Sequence, residues 1–223
     1  MLILRDISYI HPDKDQLFTG INLTVNDHEK IALVGNNGSG KSTLLKILAG
    51  VLQPSGGTIT TSSNPYYVPQ LVGQYNGLTI AQALRVDAKL NALKEILAGN
   101  VTDNNMALLD DDWTIEERCA EAMSYWKLEG LDPEQKMASL SGGQKTKVLL
   151  AGLTIHQPEI VLLDEPSNHL DTEGRELLYD YIQATNSSLV VVSHDRTLLN
   201  LLNNVAELSK RGLTLYGGNY DFY

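Results

Sequence analysis

Apolar residues along the chain form two kinds of pattern, short continuous runs and longer stretches at helical spacing. The short runs predict strands over 2–9, 17–25, 30–34, 58–61, 66–70, 160–163, 189–192, 205–209 and 213–216. Helical spacing follows several of these runs, over 41–49, 142–156, 173–185 and 196–203. Because continuous apolar strands that alternate with helices are typical of sheets covered on both faces, we expect an α/β fold with a mostly parallel sheet.

The middle of the chain has a different pattern. Apolar residues recur at helical spacing over 79–98 and again over 114–128, with no strand-like run between them. Gly99-Asn100 and the acidic run Asp110–Asp112 mark breaks between these helices. This block predicts a helical subdomain inserted into the α/β core.

Composition limits the class of protein. The chain has 223 residues with 43% apolar content, which is ordinary for a globular protein, and no apolar run approaches the ~20 residues needed to cross a bilayer. Its start reads as a first strand rather than a signal peptide, and the lone Cys119 suits a reducing cytosol, so we expect a cytoplasmic protein. A net charge of −10 argues against a nucleic-acid clamp made by this segment alone.

A glycine-rich loop joins the buried strand 30–34 to a helix. Gly35 and Gly40 allow the backbone to wrap closely around a phosphate, and the helix start adds its positive end. Lys41 would reach the β- and γ-phosphates, while the Ser42 hydroxyl would bind Mg²⁺. The predicted phosphate-binding loop consists of Gly35, Asn36, Asn37, Gly38, Ser39, Gly40, Lys41, Ser42 and Thr43.

Two further segments carry candidate chemistry. Asp164 and Glu165 follow a buried strand, where a parallel sheet presents its ligand-binding edge, so Asp164 can hold Mg²⁺ and Glu165 can polarise an attacking water. Taken alone, such a pair is more often a solvated strand end. The pentapeptide Leu140-Ser141-Gly142-Gly143-Gln144 precedes a helix that Ser141 can cap, and its glycines allow a phosphate to approach.

The order of these motifs over essentially the whole chain resembles an ATP-binding cassette (ABC). The resemblance implies a P-loop NTPase core, with an N-terminal antiparallel β subdomain, over 1–70 and 140–223. It also implies a helical subdomain over 71–139, ATP and Mg²⁺ as cofactors, and ATP hydrolysis. The residues that match the motifs of the family are the phosphate loop, Gln70, Ser141–Gln144, Asp164, Glu165, Asp171 and His194.

The resemblance implies a role for each of these residues. Gln70 would sense the γ-phosphate and Mg²⁺, and His194 would contact the γ-phosphate. Ser141 and Gly143 would contact the γ-phosphate held by a second cassette, and Asp171 would couple the two sites. Cassettes usually stack adenine on an aromatic residue near the start of the chain, where both Tyr9 and His11 stand.

The segment 165–171, Glu-Pro-Ser-Asn-His-Leu-Asp, resembles the form typical of the ABC-F subfamily. Those proteins are soluble, carry two cassettes in one polypeptide, and in many cases act on the ribosome. The end of the chain, 215–223, resembles the point at which such proteins leave their first cassette for a charged helical linker. Part of 71–139 could equally be the short arm of that subfamily or a plain helical subdomain. The alternative is the nucleotide-binding subunit of a membrane transporter.

Overall fold

The computed structural model describes residues 1–11, 16–209 and 212–223 and divides them into two compact units. The first unit consists of Met1–Gln70, Pro158–Asn168 and Leu178–Tyr223. The second consists of Leu71–Gln157 and His169–Leu177. A turn-prone segment over 11–15 separates the first two predicted strands, and all of it except His11 lies outside the described residues.

The strands occur close to where the apolar runs predict them. They are β1 (Leu2–Ile10), β2 (Gln16–Val25), β3 (Lys30–Val34), β4 (Gly56–Thr61), β5 (Tyr66–Val68), β6 (Ile160–Asp164), β7 (Ser188–Val192), β8 (Asn204–Ser209) and β9 (Gly212–Gly217). The α-helices are α1 (Lys41–Leu48), α2 (Ile80–Ala83), α3 (Asp87–Leu97), α4 (Asp103–Leu109), α5 (Ile115–Tyr125), α6 (Gly142–His156), α7 (Thr172–Ala184) and α8 (Arg196–Leu199).

The strands of the first unit form two sheets. One is antiparallel with the order β2-β1-β4, which confirms the expected N-terminal β subdomain. The other has the order β5-β6-β7-β3-β8-β9, and its pairs are parallel except for β8 with β9. Every residue of β6 and β7 is buried, which explains why these strands read as continuous apolar runs. The predicted α/β fold with a mostly parallel sheet is confirmed.

The parallel sheet places the candidate residues at one edge. The loop after β3, the end of β5, the end of β6 and the loop after β7 all lie at the carboxyl ends of parallel strands. This is the edge at which open α/β sheets bind ligands. The order of the strands therefore brings together segments that are far apart in the sequence.

Helices dominate the second unit, but two details differ from the prediction. The stretch 79–98 forms two helices because Arg85, with a φ of 59°, interrupts the helical backbone between α2 and α3. An additional helix, α4, lies between the predicted breaks; Thr102 caps it by accepting a hydrogen bond from the Asn105 N–H. Only Leu109 of α4 is buried, so the helix has no apolar periodicity that the sequence could reveal. Among the described residues, no helix is long and apolar enough to span a membrane.

Candidate functional site

The phosphate loop between β3 and α1 requires glycine at two positions. Gly35 has a φ of 146°, and a Cβ there would lie 2.3 Å from the Leu208 carbonyl oxygen. Gly40 has a φ of 98°, and a Cβ there would lie 2.7 Å from Leu17 Cδ2. Neither the backbone conformation nor the available space would accept another residue. The tight loop therefore follows directly from the glycines of the motif.

Two side chains of the loop indicate the kind of ligand it fits. Lys41 Nζ donates to the carbonyl oxygens of Gly35 and Asn36 at 2.8 and 3.2 Å, so the ammonium group lies against the loop. The Ser39 hydroxyl is buried and has no hydrogen-bond partner among the described residues. Since buried polar groups normally have partners, an oxyanion in the loop would satisfy Ser39. A phosphate group fits both observations.

Asp164, at the end of β6, is held by two hydroxyl groups. Ser42 Oγ donates to its Oδ1 at 3.0 Å, and the Tyr67 hydroxyl donates to its Oδ2 at 3.4 Å. The carboxyl group is almost fully buried, and this burial raises its pKa, although both hydrogen bonds act in the opposite direction. A serine hydroxyl beside a carboxylate is the oxygen donor set that Mg²⁺ binds together with substrate phosphates, so Ser42 and Asp164 could hold that ion.

Glu165 is buried and held in an unusual backbone conformation. Its φ is 51°, and its N–H donates to the Val192 carbonyl oxygen at 2.8 Å. The side chain accepts a hydrogen bond from the His194 backbone N–H at 3.2 Å, and its Oε1 lies 3.4 Å from His194 Nε2. Burial raises the pKa of Glu165, while His194 lowers it. A left-handed non-glycine residue that aims a buried carboxylate at a ligand site is a candidate general base.

The loop after β7 presents His194 with its side chain largely exposed. Its neighbour Asp195 caps α8 by accepting from the Leu198 N–H, and the Tyr179 hydroxyl also donates to Asp195. The Ser193 hydroxyl accepts from the Asp195 N–H at 3.0 Å. These bonds fix the backbone on both sides of His194, and the ring, although 3.4 Å from Glu165, stays accessible to a ligand because it is largely exposed.

A cavity of about 380 Å³ in the first unit brings together Lys41, Ser42, Glu165 and His194, whereas Asp164 is absent from the described residues that line it. Its lining includes His11, Leu17, Asn37, Gly38, Gly40, Lys41, Ser42, Thr43, Gln70, Glu165, Val192 and His194. Tyr9 is absent from this set of described residues; its ring makes an edge-to-face contact with His11, at a centroid distance of 5.4 Å. The cavity combines a cationic phosphate loop, an amide, a carboxylate and an imidazole, and such a set can bind and hydrolyse a phosphoanhydride.

The remaining predicted residues belong to the second unit. Ser141 and Gln144 form a capping box at the start of α6: Ser141 Oγ accepts from the Gln144 N–H, and Gln144 Oε1 accepts from the Ser141 N–H. A Cβ on Gly143 would lie 2.7 Å from the His169 carbonyl oxygen. The exposed helix start therefore depends on a close approach of the segment that begins at His169.

Asp171 is linked to the same helix. Lys147 of α6 lies 3.1 Å from Asp171 Oδ1, and this oxygen also accepts from the Gly174 N–H at 2.8 Å. The backbone bond and the ammonium group lower the pKa of Asp171. Asp171 thus links the start of α7 to α6. The second unit therefore brings Asp171 close to the helix that begins with Ser141–Gln144, although Gln144 and Asp171 stand 27 residues apart in the sequence.

Sequence reasoning missed three of the side chains that support these sites. Tyr67 donates to Asp164, Tyr179 donates to Asp195, and Lys147 pairs with Asp171. None stands in a motif: Tyr67 and Lys147 contact motif residues from a different element, and Tyr179 contacts the residue that follows His194. A signal existed only for Lys147, a buried cation on an otherwise apolar helix face, which must have an anionic partner.

The raised pKa of Asp164 predicts how the stability of the ligand-free protein depends on pH. Because the folded protein holds this proton more tightly than the unfolded chain, stability falls as pH rises from the ordinary carboxyl pKa through the raised one. Asp164→Asn should therefore raise Tm at pH 7, by about 2–4 °C for each kcal/mol recovered, and the gain should vanish below pH 4. Thermal unfolding at pH 7 and below pH 4 measures the gain in Tm. A gain of equal size under the two conditions would contradict this prediction.

Comparison with known proteins gives the family. The sequence profile of the family described as "ABC transporter" matches residues 18–168, more than half of the chain. The tylosin resistance ATP-binding protein TlrC of Streptomyces fradiae is 31% identical over 95% of this chain and 43% of its own length. ABC transporter F family member 2 of Arabidopsis thaliana is 28% identical over 95% of this chain and 29% of its own length.

Among solved structures, the dimeric structure of MJ0796, a bacterial ABC transporter cassette, superimposes with a TM-score of 0.73. The match covers 97% of this chain and 98% of that one at 20% identity, which supports the fold. The chain spans less than half the length of the two curated relatives above. With the profile match over residues 18–168, these likenesses show that the chain belongs to the ABC transporter family of ATP-binding cassettes.

Proposed function

We propose that this chain binds and hydrolyses ATP as one cassette of a soluble ABC-F-type protein. The observation that carries the proposal is the single cavity lined by Lys41, Ser42, Gln70, Glu165 and His194. The phosphate-loop amides and Lys41 bind the phosphates, and Ser42 and Asp164 hold Mg²⁺, with Gln70 close by to sense it. When bound, Mg²⁺ neutralises developing charge on the phosphate oxygens.

The hydrolytic step follows from the geometry of Glu165. Its raised pKa makes the carboxylate a stronger base than a solvent-exposed glutamate, so it can orient a water and accept its proton. His194 lies 3.4 Å from Glu165 and would contact the γ-phosphate from the same side. Lys41 stabilises the charge that develops on the phosphoryl group. The products are ADP and inorganic phosphate.

A second cassette completes the site in this proposal. The capped helix start formed by Ser141, Gly142, Gly143 and Gln144 offers N–H groups to the γ-phosphate bound by the other cassette, and Asp171 couples the two sites. ATP would hold the pair closed and hydrolysis would open it. The division into a core over 1–70 and 140–223 and a helical subdomain over 71–139 remains part of this proposal.

Turnover at different protein concentrations tests the composite site. The isolated chain should bind ATP and hydrolyse it slowly, and the rate per molecule should rise with concentration as pairs form. Sedimentation velocity in parallel gives the fraction of monomer. A high and constant rate per molecule in samples shown to be monomeric would contradict the proposal.

We further propose that His11 stacks on the adenine ring, because His11 lines the cavity whereas Tyr9 packs beside it. A base–aromatic stack contributes about 1–3 kcal/mol, so His11→Ala should weaken ATP binding by about 5- to 150-fold. The affinity for inorganic tripolyphosphate, which has no base, should not change. Tyr9→Leu is the matched control; a larger loss of ATP affinity in that variant would assign the stack to Tyr9.

For the biological role we propose action on the ribosome in the cytoplasm, through a helical linker outside these 223 residues. Support comes from the segment 165–171 and from relatives named as ABC transporter F family members. The test is co-sedimentation of the longer native protein carrying Glu165→Gln with ribosomes, in ATP and in ADP. ATP-dependent pelleting with ribosomes is expected. Recovery in a membrane complex instead would favour the alternative, a transporter subunit.

A further inference from the structure

The strand β5 carries a tyrosine hydroxyl that the proposed hydrolysis does not use. Tyr67 donates from this hydroxyl to Asp164 Oδ2 at 3.4 Å, whereas Ser42 Oγ donates to the other carboxylate oxygen, Oδ1, at 3.0 Å. The two oxygens of the candidate Mg²⁺ ligand therefore have different surroundings. Oδ1 faces the phosphate loop, and Oδ2 faces the neighbouring strand.

The pairing of β5 with β6 explains why this tyrosine reaches Asp164. The two strands are parallel, and Tyr67 lies opposite Leu162. Because successive side chains of a strand point to opposite faces, Leu162 and Asp164 share one face of β6, and Tyr67 points to that same face. Tyr66 points to the opposite face. Two residues of a strand span about 6.6 Å, a distance that a phenol can bridge and a serine or threonine cannot.

The ring of Tyr67 is positioned by apolar contacts. It is half-buried and packs against the cluster of buried apolar residues that includes Leu162 and Val190. A tyrosine in such a place presents an apolar ring to the core and its hydroxyl to a polar partner, which here is Asp164. Phenylalanine would keep the apolar contacts of the ring and would remove the hydroxyl.

Mg²⁺ and Ca²⁺ use a carboxylate differently. Mg²⁺ is small, requires nearly octahedral geometry and keeps several waters, so it is bound through few carboxylate oxygens together with substrate phosphates. Ca²⁺ is larger, takes about six to eight oxygen ligands and accepts both oxygens of one carboxylate. A carboxylate whose second oxygen is engaged by a hydroxyl donor therefore suits Mg²⁺ better than Ca²⁺.

We propose that Tyr67 is a specificity-determining residue that makes the nucleotide site prefer Mg²⁺ to Ca²⁺. Its hydroxyl engages Asp164 Oδ2 and leaves Oδ1, beside Ser42, for the cation or for a water bound to it. Hydrogen-bond partners of metal ligands orient those ligands and change metal affinity about 10- to 100-fold. This inference rests on the Mg²⁺ site of the proposed function and adds the group that sets its selectivity.

Calorimetric titration with a non-hydrolysable ATP analogue, in which an imido group joins the β- and γ-phosphates, tests this inference. The titration is repeated in EDTA, in excess Mg²⁺ and in excess Ca²⁺. The free analogue has the same affinity for each cation whichever variant is present, so differences between variants report the contribution of the protein. In Tyr67→Phe, affinity for the Mg²⁺ complex should fall about tenfold, and affinity for the Ca²⁺ complex should stay the same or rise. Affinity in EDTA should not change.

Tyr66→Phe is the matched control, because it loses the same hydroxyl from the adjacent residue on the opposite face of the sheet. Its affinities should equal those of the unaltered protein under all three conditions. A distorted site would weaken binding in EDTA, Mg²⁺ and Ca²⁺ alike, so an equal loss under all three conditions in Tyr67→Phe would overturn the proposal. An unchanged ratio of the Mg²⁺ and Ca²⁺ affinities would also overturn it.

The unaltered protein distinguishes failure of this inference from failure of the proposed function. If it binds the analogue more tightly in Mg²⁺ than in EDTA, the Mg²⁺ site stands, and only the role of Tyr67 depends on the variant. Equal binding in EDTA and in Mg²⁺ would contradict the Mg²⁺ site itself, and with it both the proposed function and the selectivity inferred from Tyr67.

Discussion

Replacing Glu165 by glutamine should reduce ATP hydrolysis by about 10²- to 10⁴-fold, the range contributed by a positioned general base. The amide has the shape of the carboxylate and can still accept the bond from the His194 N–H, now 3.2 Å long, but it cannot take a proton from water. ATP affinity should change by less than about threefold. Single-turnover hydrolysis and equilibrium binding of ATP measure the two effects separately.

A further effect is expected in the same variant if a second cassette closes the site. Since hydrolysis would no longer open the pair, ATP should shift Glu165→Gln toward dimers, and ADP should not. Glu159→Gln is the matched control, because Glu159 stands just before the opposite end of β6 and is exposed. Unchanged hydrolysis in Glu165→Gln would remove this residue from the proposed role of base.

Replacing Lys41 by alanine should weaken ATP binding by about 10- to 100-fold, because charge-assisted hydrogen bonds each contribute about 1.5–3 kcal/mol. The change should spare the fold: the loop conformation depends on Gly35 and Gly40, and Lys41 is only partly buried. Burial lowers the pKa of the Lys41 ammonium group, while the nearby carboxylates of Glu165 and Asp164 raise it. A bound phosphate would be a third anionic group beside this ammonium group.

Calorimetric titration with ATP measures this loss, and thermal unfolding without nucleotide checks the fold. Lys46→Ala is the matched control, since Lys46 stands on the same helix but is exposed and absent from the described lining of the cavity. Lys41→Arg should recover part of the affinity, because the charge remains but the shape of the group differs. An unaltered affinity in Lys41→Ala would show that ATP binds elsewhere.

The core of the fold could be predicted from the sequence because its strands are buried on both faces. The continuous apolar runs of β6 and β7 stand between recognisable helices, and glycines at fixed spacing mark the loop after β3. These signals are local, so the chain reveals them without knowledge of tertiary contacts. The same is true of the capped start of α6, whose serine and glutamine stand three residues apart.

What the sequence could not reveal depends on contacts between distant residues. The Tyr67–Asp164 bond joins residues 97 positions apart, and nothing in the strand Tyr66–Val68 distinguishes one tyrosine from the other. Helix α4 buries only Leu109, so its N-terminal cap, rather than a periodic apolar pattern, marks where this helix begins. The proposal that His11 rather than Tyr9 stacks on adenine depends on the lining of the cavity, because both rings stand at nearly the same place along the chain.

Gly143 lies close to the segment that begins at His169, and this contact affects how mutations in the motif Ser141–Gln144 should be interpreted. A side chain at position 143 would collide with the His169 carbonyl oxygen, which also belongs to the segment that carries Asp171. An inactive Gly143 variant would thus report a displaced helix start as well as the loss of the proposed phosphate contact. Two variants of the cap residue Ser141 separate these two causes at the adjoining turn. Ser141→Thr keeps the hydroxyl group that caps the helix, and Ser141→Ala removes it. Screens that score this motif by loss of function will count packing defects as defects in phosphate binding unless such pairs are included.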